Sequence, residues 1–143
     1  MPFEFLDEVP TADVGFRAWG VTLEECFESA AAATLAMMLE NRADLQPRER
    51  RPLHVQAESL DLALLRLLEE IVFYKDAENL FVGIDAVNVG RHGEQWEVTA
   101  IAVGEHIDAA RHHLLGDVKA VTLHQLGVRQ TETGWEATVV LDV

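Results

Sequence analysis

Two carboxylates stand where a charge is costly. Asp142 interrupts the apolar run Val139-Val140-Leu141 and Val143 at the end of the chain, and Asp13 closes the turn-like stretch Pro10-Thr11-Ala12-Asp13 between two strand-like segments. A charge in such a strand needs a partner. One reading is plain: a chain-end residue that reaches water, and a turn aspartate that caps a backbone amide. The other takes Asp13, Asp142 and the α-carboxylate of Val143 as oxygen ligands. Such ligands suit a hard cation such as calcium, whose shell of about six to eight oxygens carbonyls and water would complete. Lys119 is the third singular residue, since it lies in Asp117-Val118-Lys119-Ala120-Val121-Thr122-Leu123-His124, which is otherwise largely apolar or small. Either its stem covers the sheet while the ammonium reaches water or an acid, or the ammonium is poised for a ligand.

Other chemistries find less support. Ser29 and Ser59 fall in a helix and at a helix cap, without the strand-turn-helix elbow of a serine hydrolase. Cys26, the only cysteine, sits in an apolar helix with no base beside it and reads as a buried, inert thiol. His106, His112 and His113 share one loop and His124 follows, but zinc needs three or four converging ligands, so solvated loop histidines are expected. Glycines 83, 90, 93 and 104 precede no helix start, which excludes a phosphate loop or dinucleotide fingerprint.

The elements that must position these residues follow from periodicity. Phe3 to Leu6 and Val14 to Trp19 alternate as strands. Thr22-Leu23-Glu24-Glu25 is a capping box opening a helix to about Leu39. A polar linker, Asn41 to Pro52, precedes a strand over Leu53 to Glu58. Ser59 caps a second helix, Leu60 to about Tyr74, ended by Lys75 to Asn79. Strands follow over Leu80 to Val89 and Gln95 to Val103, joined across Gly90-Arg91-His92-Gly93, then Val118 to Val128 and Trp135 to Val143. The expected order is β-β-α-β-α-β-β-β-β. It predicts one α+β domain over residues 1–143: a two-layer fold with a mostly antiparallel sheet covered by two helices.

The chain has 143 residues with 25 acids against 11 bases, a formal net charge of −14. Nucleic-acid affinity depends on neutralising phosphates with Lys and Arg, so tight direct binding of RNA or DNA is not expected. Cations or a basic protein partner fit better, although an acid excess with two lysines, Lys75 and Lys119, also suits a high-salt habitat. No apolar run approaches the roughly 20 residues of a membrane span, and Met1 to Glu8 carries acid where a signal peptide carries base, so a cytoplasmic protein is expected.

The sequence resembles the archease family along its whole length. The resemblance is carried by Thr11-Ala12-Asp13-Val14-Gly15-Phe16-Arg17-Ala18-Trp19-Gly20, Thr22-Leu23-Glu24-Glu25, Gly104-Glu105 with Arg111-His112, the run Val118 to His124, and Trp135 to the terminal Leu-Asp-Val. Archeases assist the RNA-splicing ligase that joins 2′,3′-cyclic phosphate or 3′-phosphate ends to 5′-hydroxyl ends in tRNA splicing and RNA repair. The ligase does the chemistry. The resemblance implies an accessory protein, not an enzyme, that promotes guanylylation of the ligase's active-site histidine. It implies a metal site at Asp13, Asp142 and Val143, with calcium, or magnesium or manganese, as the ion. It gives Lys119, with Asp13 and Asp142, to ligase activation, and makes His124, His112 and Glu105 candidates for the partner surface. A chaperone-like or scaffolding module is the alternative, and a stand-alone metal-dependent hydrolase, with Lys119 or His124 moving protons, is a third class. The chain departs from the family pattern at Pro10, where a histidine is usual, at Leu123, where a tyrosine is usual, and at Leu67, in place of a common tryptophan.

Overall fold

The computed structural model describes residues 2–7 and 13–143. Pro10, Thr11 and Ala12 lie outside the described residues. Strands β1 (Phe3–Leu6) and β2 (Val14–Gly20) lead to helix α1 (Leu23–Ala36), and a 3-10 turn over Arg42–Asp44 leads to β3 (Glu49–Ala57). Helix α2 (Leu60–Glu78) follows, then β4 (Leu80–His92), β5 (Gln95–His106), β6 (Ala120–Val121), β7 (Gly127–Gln130) and β8 (Trp135–Asp142).

Local chemistry accounts for the helix ends. The Thr22 hydroxyl accepts from the Glu25 amide at 3.1 Å and the Glu25 carboxylate accepts from the Val21 amide at 2.9 Å, so two otherwise unpaired donors are satisfied. Ser59 accepts from the Leu62 amide at 3.3 Å. Helix α1 stops at Ala36 rather than near Leu39. Met38 and Leu39 are still buried, but Leu39 leaves the helix to bridge Leu114. Helix α2 runs a turn past Tyr74 and ends where Asn79 takes the left-handed conformation, φ 52°, that asparagine tolerates at a helix end.

The class, α+β with two helices and antiparallel strands, is the expected one. The strands, however, form two sheets rather than one. In the first, β1, β2 and β8 lie side by side, and β6 and β7 both pair with the far edge of β8; in the second, β5 lies between β3 and β4. All pairings are antiparallel. Helix α1 packs on β2, β8 and β4, and α2 on the second sheet and on β6. One hydrophobic cluster therefore draws on both sheets and both helices, with Phe16, Phe27, Leu64, Leu68, Val98 and Val139 inside it. First-turn carboxylates of the helices also close strand edges, Glu24 accepting from the Val89 amide at 3.1 Å and Asp61 from the Val128 amide at 2.8 Å.

Three boundaries differ from expectation for physical reasons. Strand β3 begins at Glu49 and contains Pro52, which a sheet-edge strand can hold because its missing N–H need not face a neighbour. The β4–β5 hairpin turns at Gly93-Glu94, not across Gly90 to Gly93, and Gly93 has φ 68°, as the primed turns require. The expected strand 118–128 divides in two. Val121 faces Leu141 and Gly127 faces Thr138, so this chain spends six positions where β8 spends three. The surplus loops out around Leu123, His124 and Gln125, with Gln125 at φ 56°.

Candidate functional site at the end of the first sheet

Strands β2 and β8 pair in register, Val14 facing Leu141, Phe16 facing Val139 and Ala18 facing Ala137. These residues turn to the core: Phe16, Ala18, Ala137, Val139 and Leu141 are fully buried. That pairing ends at Val14 and Leu141; Asp13 immediately precedes β2 and Asp142 is the last residue of β8, so the two stand at the same end of the sheet. Both are half-buried. On the other side of β8, Ala120 faces Asp142, and the Lys119 amide donates to the Asp142 carbonyl at 2.8 Å. Asp13, Asp142, Val143 and Lys119 therefore meet at one end of the first sheet, although they lie at opposite ends of the chain.

Among the described residues, neither Asp13 nor Asp142 has an ion pair, and the exposed Lys119 side chain has none either. Among the described residues there is also no group of three or more His, Cys, Asp or Glu side chains able to hold a metal. The side chains at the sheet end that could take part in holding a cation are thus the two carboxylates of Asp13 and Asp142. An all-oxygen set fits a hard cation and does not fit zinc.

Of the three residues expected at a partner surface, only His124 is exposed. It lies on the loop between β6 and β7, beside Leu123, which is 67% exposed. Glu105 and His112 are each 2% exposed, which corrects both the partner-surface expectation and that of a solvated loop histidine. Their burial has a cause. The Glu105 carboxylate is shared by His112 Nε2 at 2.9 Å, the Gln46 amide at 2.6 Å and the Arg111 guanidinium, while His112 Nδ1 accepts from the Asp108 amide at 2.8 Å. This network pins the loop after β5 to the second sheet, and a buried polar group so satisfied need not reach water.

With Nδ1 accepting, the His112 proton resides on Nε2 and the ring is neutral. Burial first, and Arg111 second, hold its imidazole below the ordinary histidine value, against the opposing pull of Asp108. A depressed folded value means that the unfolded chain takes up the proton first. His112 therefore contributes its full stability above about pH 6.5 and loses it as the pH falls through that value toward the folded one. His112→Phe keeps the ring that packs edge-on against Phe81 but removes both hydrogen bonds. It should cost about 2 kcal/mol at pH 7.5 and flatten the fall in urea midpoint between pH 6.5 and 5. Parallel pH curves for the two proteins would contradict the neutral-ring assignment.

Cys26 is buried as expected, and desolvation pushes its thiol up to about 12, so it is no nucleophile. The residue that sequence reasoning underrated is Lys75, noticed as one of two lysines but read only as part of a helix end. Its side chain is 9% exposed, and its ammonium donates to the Val118 carbonyl at 2.7 Å and pairs with Asp76 at 2.9 Å and with Asp117.

Two helices packed on two antiparallel sheets, with two aspartates and a lysine at one sheet end, define a small α+β protein. The chain belongs to the Archease protein family, whose model matches residues 3–143. It is 35% identical over 134 residues to the protein archease of Thermococcus gammatolerans, covering 93% of this chain and 94% of that one. Against the protein archease of Sulfurisphaera tokodaii the identity is 32% over 146 aligned positions, covering 99% and 98%. The solution structure of Methanobacterium thermoautotrophicum protein 1598 superposes with a TM-score of 0.84 at 33% identity over 99% of this chain and 98% of that one. A crystal structure from Thermotoga maritima, described as an archease and possible chaperone, has a TM-score of 0.59 at 18% identity over 93% and 92%, a likeness of fold alone.

Proposed function

We propose that this chain is a non-catalytic, cytoplasmic accessory protein. It binds a hard divalent cation, calcium first among them, at Asp13, Asp142 and Val143. With Lys119 it activates an RNA-splicing ligase by promoting guanylylation of the ligase's active-site histidine. The observation that carries this reading is the register that brings Asp13, Asp142 and Lys119 to one sheet end. These are the residues to which the family resemblance gives metal binding and ligase activation. When bound, the cation would supply a positive centre able to organise phosphate oxygens. The chain's own part is to hold that centre on two carboxylates and to present a lysine ammonium beside it. The net charge of −14 supports a partner with a basic cleft, since opposite fields steer association.

The test follows transfer of labelled guanylate from GTP to a ligase from the same cell. The wild-type chain should accelerate that step and should convert neither RNA nor nucleotide alone. Lys119→Ala should lower the acceleration at least about tenfold, the scale of losing one charge-assisted contact, while shifting the thermal midpoint little because the side chain is exposed. A ligase that binds the chain without any change in rate would support the scaffolding alternative instead. Lys119→Ala with full activation would remove the lysine from the mechanism.

A further inference from the structure

We propose that Lys75, at the end of α2, is the positioning residue that sets Lys119 and the end of β8 in place. The proposal rests on the functional reading above, because Lys119 matters to it only as the activating lysine. Residues 115–119 connect the Glu105 network to β6 without helix or strand pairing of their own. Their backbone is tied at one end by the Leu115 amide to the Met38 carbonyl at 3.0 Å, and at the other by the Lys119 amide to the Asp142 carbonyl. Between these ties the Lys75 ammonium holds the Val118 carbonyl and the Asp117 carboxylate.

An ammonium in so sheltered a place is costly unless its donors are used. Lys75 has three N–H donors and three acceptors, Val118, Asp117 and Asp76. Val118 itself is fully buried against the core, so its carbonyl direction and its side chain are fixed together. The next residue is Lys119, whose amide grips Asp142. One chain of contacts thus runs from α2 through Val118 and Lys119 to the carbonyl of Asp142. The position at the last turn of α2 also favours a cation there. Nothing in this chain of contacts requires Lys75 to touch a cation or a partner.

Lys75→Met keeps the buried stem and removes the ammonium. Asp117→Asn removes one partner charge from an exposed side chain and keeps the test readable should the first variant fold poorly. Backbone amide exchange is measured on the metal-free chain. At Lys119 it should speed up about tenfold or more in Lys75→Met and by a smaller factor in Asp117→Asn, the scale of losing a hydrogen bond to a charged group. The Thr122 amide, held independently by the Val140 carbonyl, should change less than about twofold. Guanylylation by the ligase should fall in Lys75→Met about as far as in Lys119→Ala, and the double variant should fall no further, as residues acting through one another do.

Unchanged exchange at Lys119, or exchange raised uniformly over the domain, would overturn the proposal and leave Lys75 a structural staple. Localised exchange with full activation would overturn it as well. A wild-type chain with no effect on the ligase would overturn the accessory reading instead, and the exchange measurement separates the two failures.

Discussion

Calcium should raise the thermal midpoint of the wild-type chain and leave that of Asp13→Asn or Asp142→Asn nearly unmoved. A ligand at about one hundred times its dissociation constant adds about 2.7 kcal/mol to the folded state. For a domain of this length that is a rise of about 8 °C. Each Asn variant removes a full charge at almost constant shape from a proposed site with two side-chain ligands, so less than about a third of the rise should remain. The metal-free variants should be slightly more stable than the metal-free wild type, because two carboxylates at the same end of neighbouring strands repel until an ion lies between them. A form extended beyond Val143 should behave like the Asn variants if that residue's carboxylate is the third ligand. The measurement is thermal unfolding of all four proteins across a calcium titration, repeated with magnesium and manganese. Equal shifts in all four would locate the ion elsewhere and return Asp13 and Asp142 to turn and chain-end roles.

What could be read from the chain was local. Thr22 with Glu25, and Ser59, cap helices through bonds to residues three or four positions away, so their sequence pattern contains the whole interaction. Asp13 and Asp142 were conspicuous because a charge beside an apolar strand is costly, but that cost does not reveal that the two stand at one end of the same sheet. Their meeting depends on β2 choosing β8 as its neighbour, a pairing between the two ends of the chain. The same non-local choice divides the strands between two sheets, with β3 added to the β4–β5 hairpin rather than to β2. Leu123 continued the apolar alternation and so concealed the outward loop at His124 and Gln125, where no glycine marks the left-handed backbone. Glu105 and His112 misled for the opposite reason. Their types suggest surface, and their burial depends on partners at Gln46, Asp108 and Arg111 that no spacing rule joins.

Gly104→Ala should be the most damaging single methyl in the molecule's second sheet. Gly104 lies in β5 between Glu49 of β3 and Val82 of β4. Its φ is ordinary for an L residue, so what the position demands is space rather than conformational freedom. An added Cβ would overlap the Phe81 carbonyl oxygen and stand 2.8 Å from its carbonyl carbon and 2.9 Å from the Val82 Cα. All three are backbone atoms, which no rotamer change can move aside. Relief requires β4 to separate from β5, where Phe81, Val82 and Ala102 are buried. The expected cost is on the order of 4 kcal/mol, which overpacking reaches only when backbone must shift. That is a large share of the roughly 5–15 kcal/mol that holds a domain folded, and it corresponds to a midpoint lower by about 12 °C. Glu105 is the next residue, so the shift should also loosen its hold on His112 and the Gln46 amide, and the His112 amide should exchange faster. Gly90→Ala is the control, because a Cβ there meets nothing within 4 Å, and it should change stability by less than about 0.5 kcal/mol. Urea unfolding of both variants decides the matter. A Gly104→Ala midpoint indistinguishable from wild type would mean that β4 can move away from β5 at Phe81 without cost, and that the register there is looser than the close approach implies.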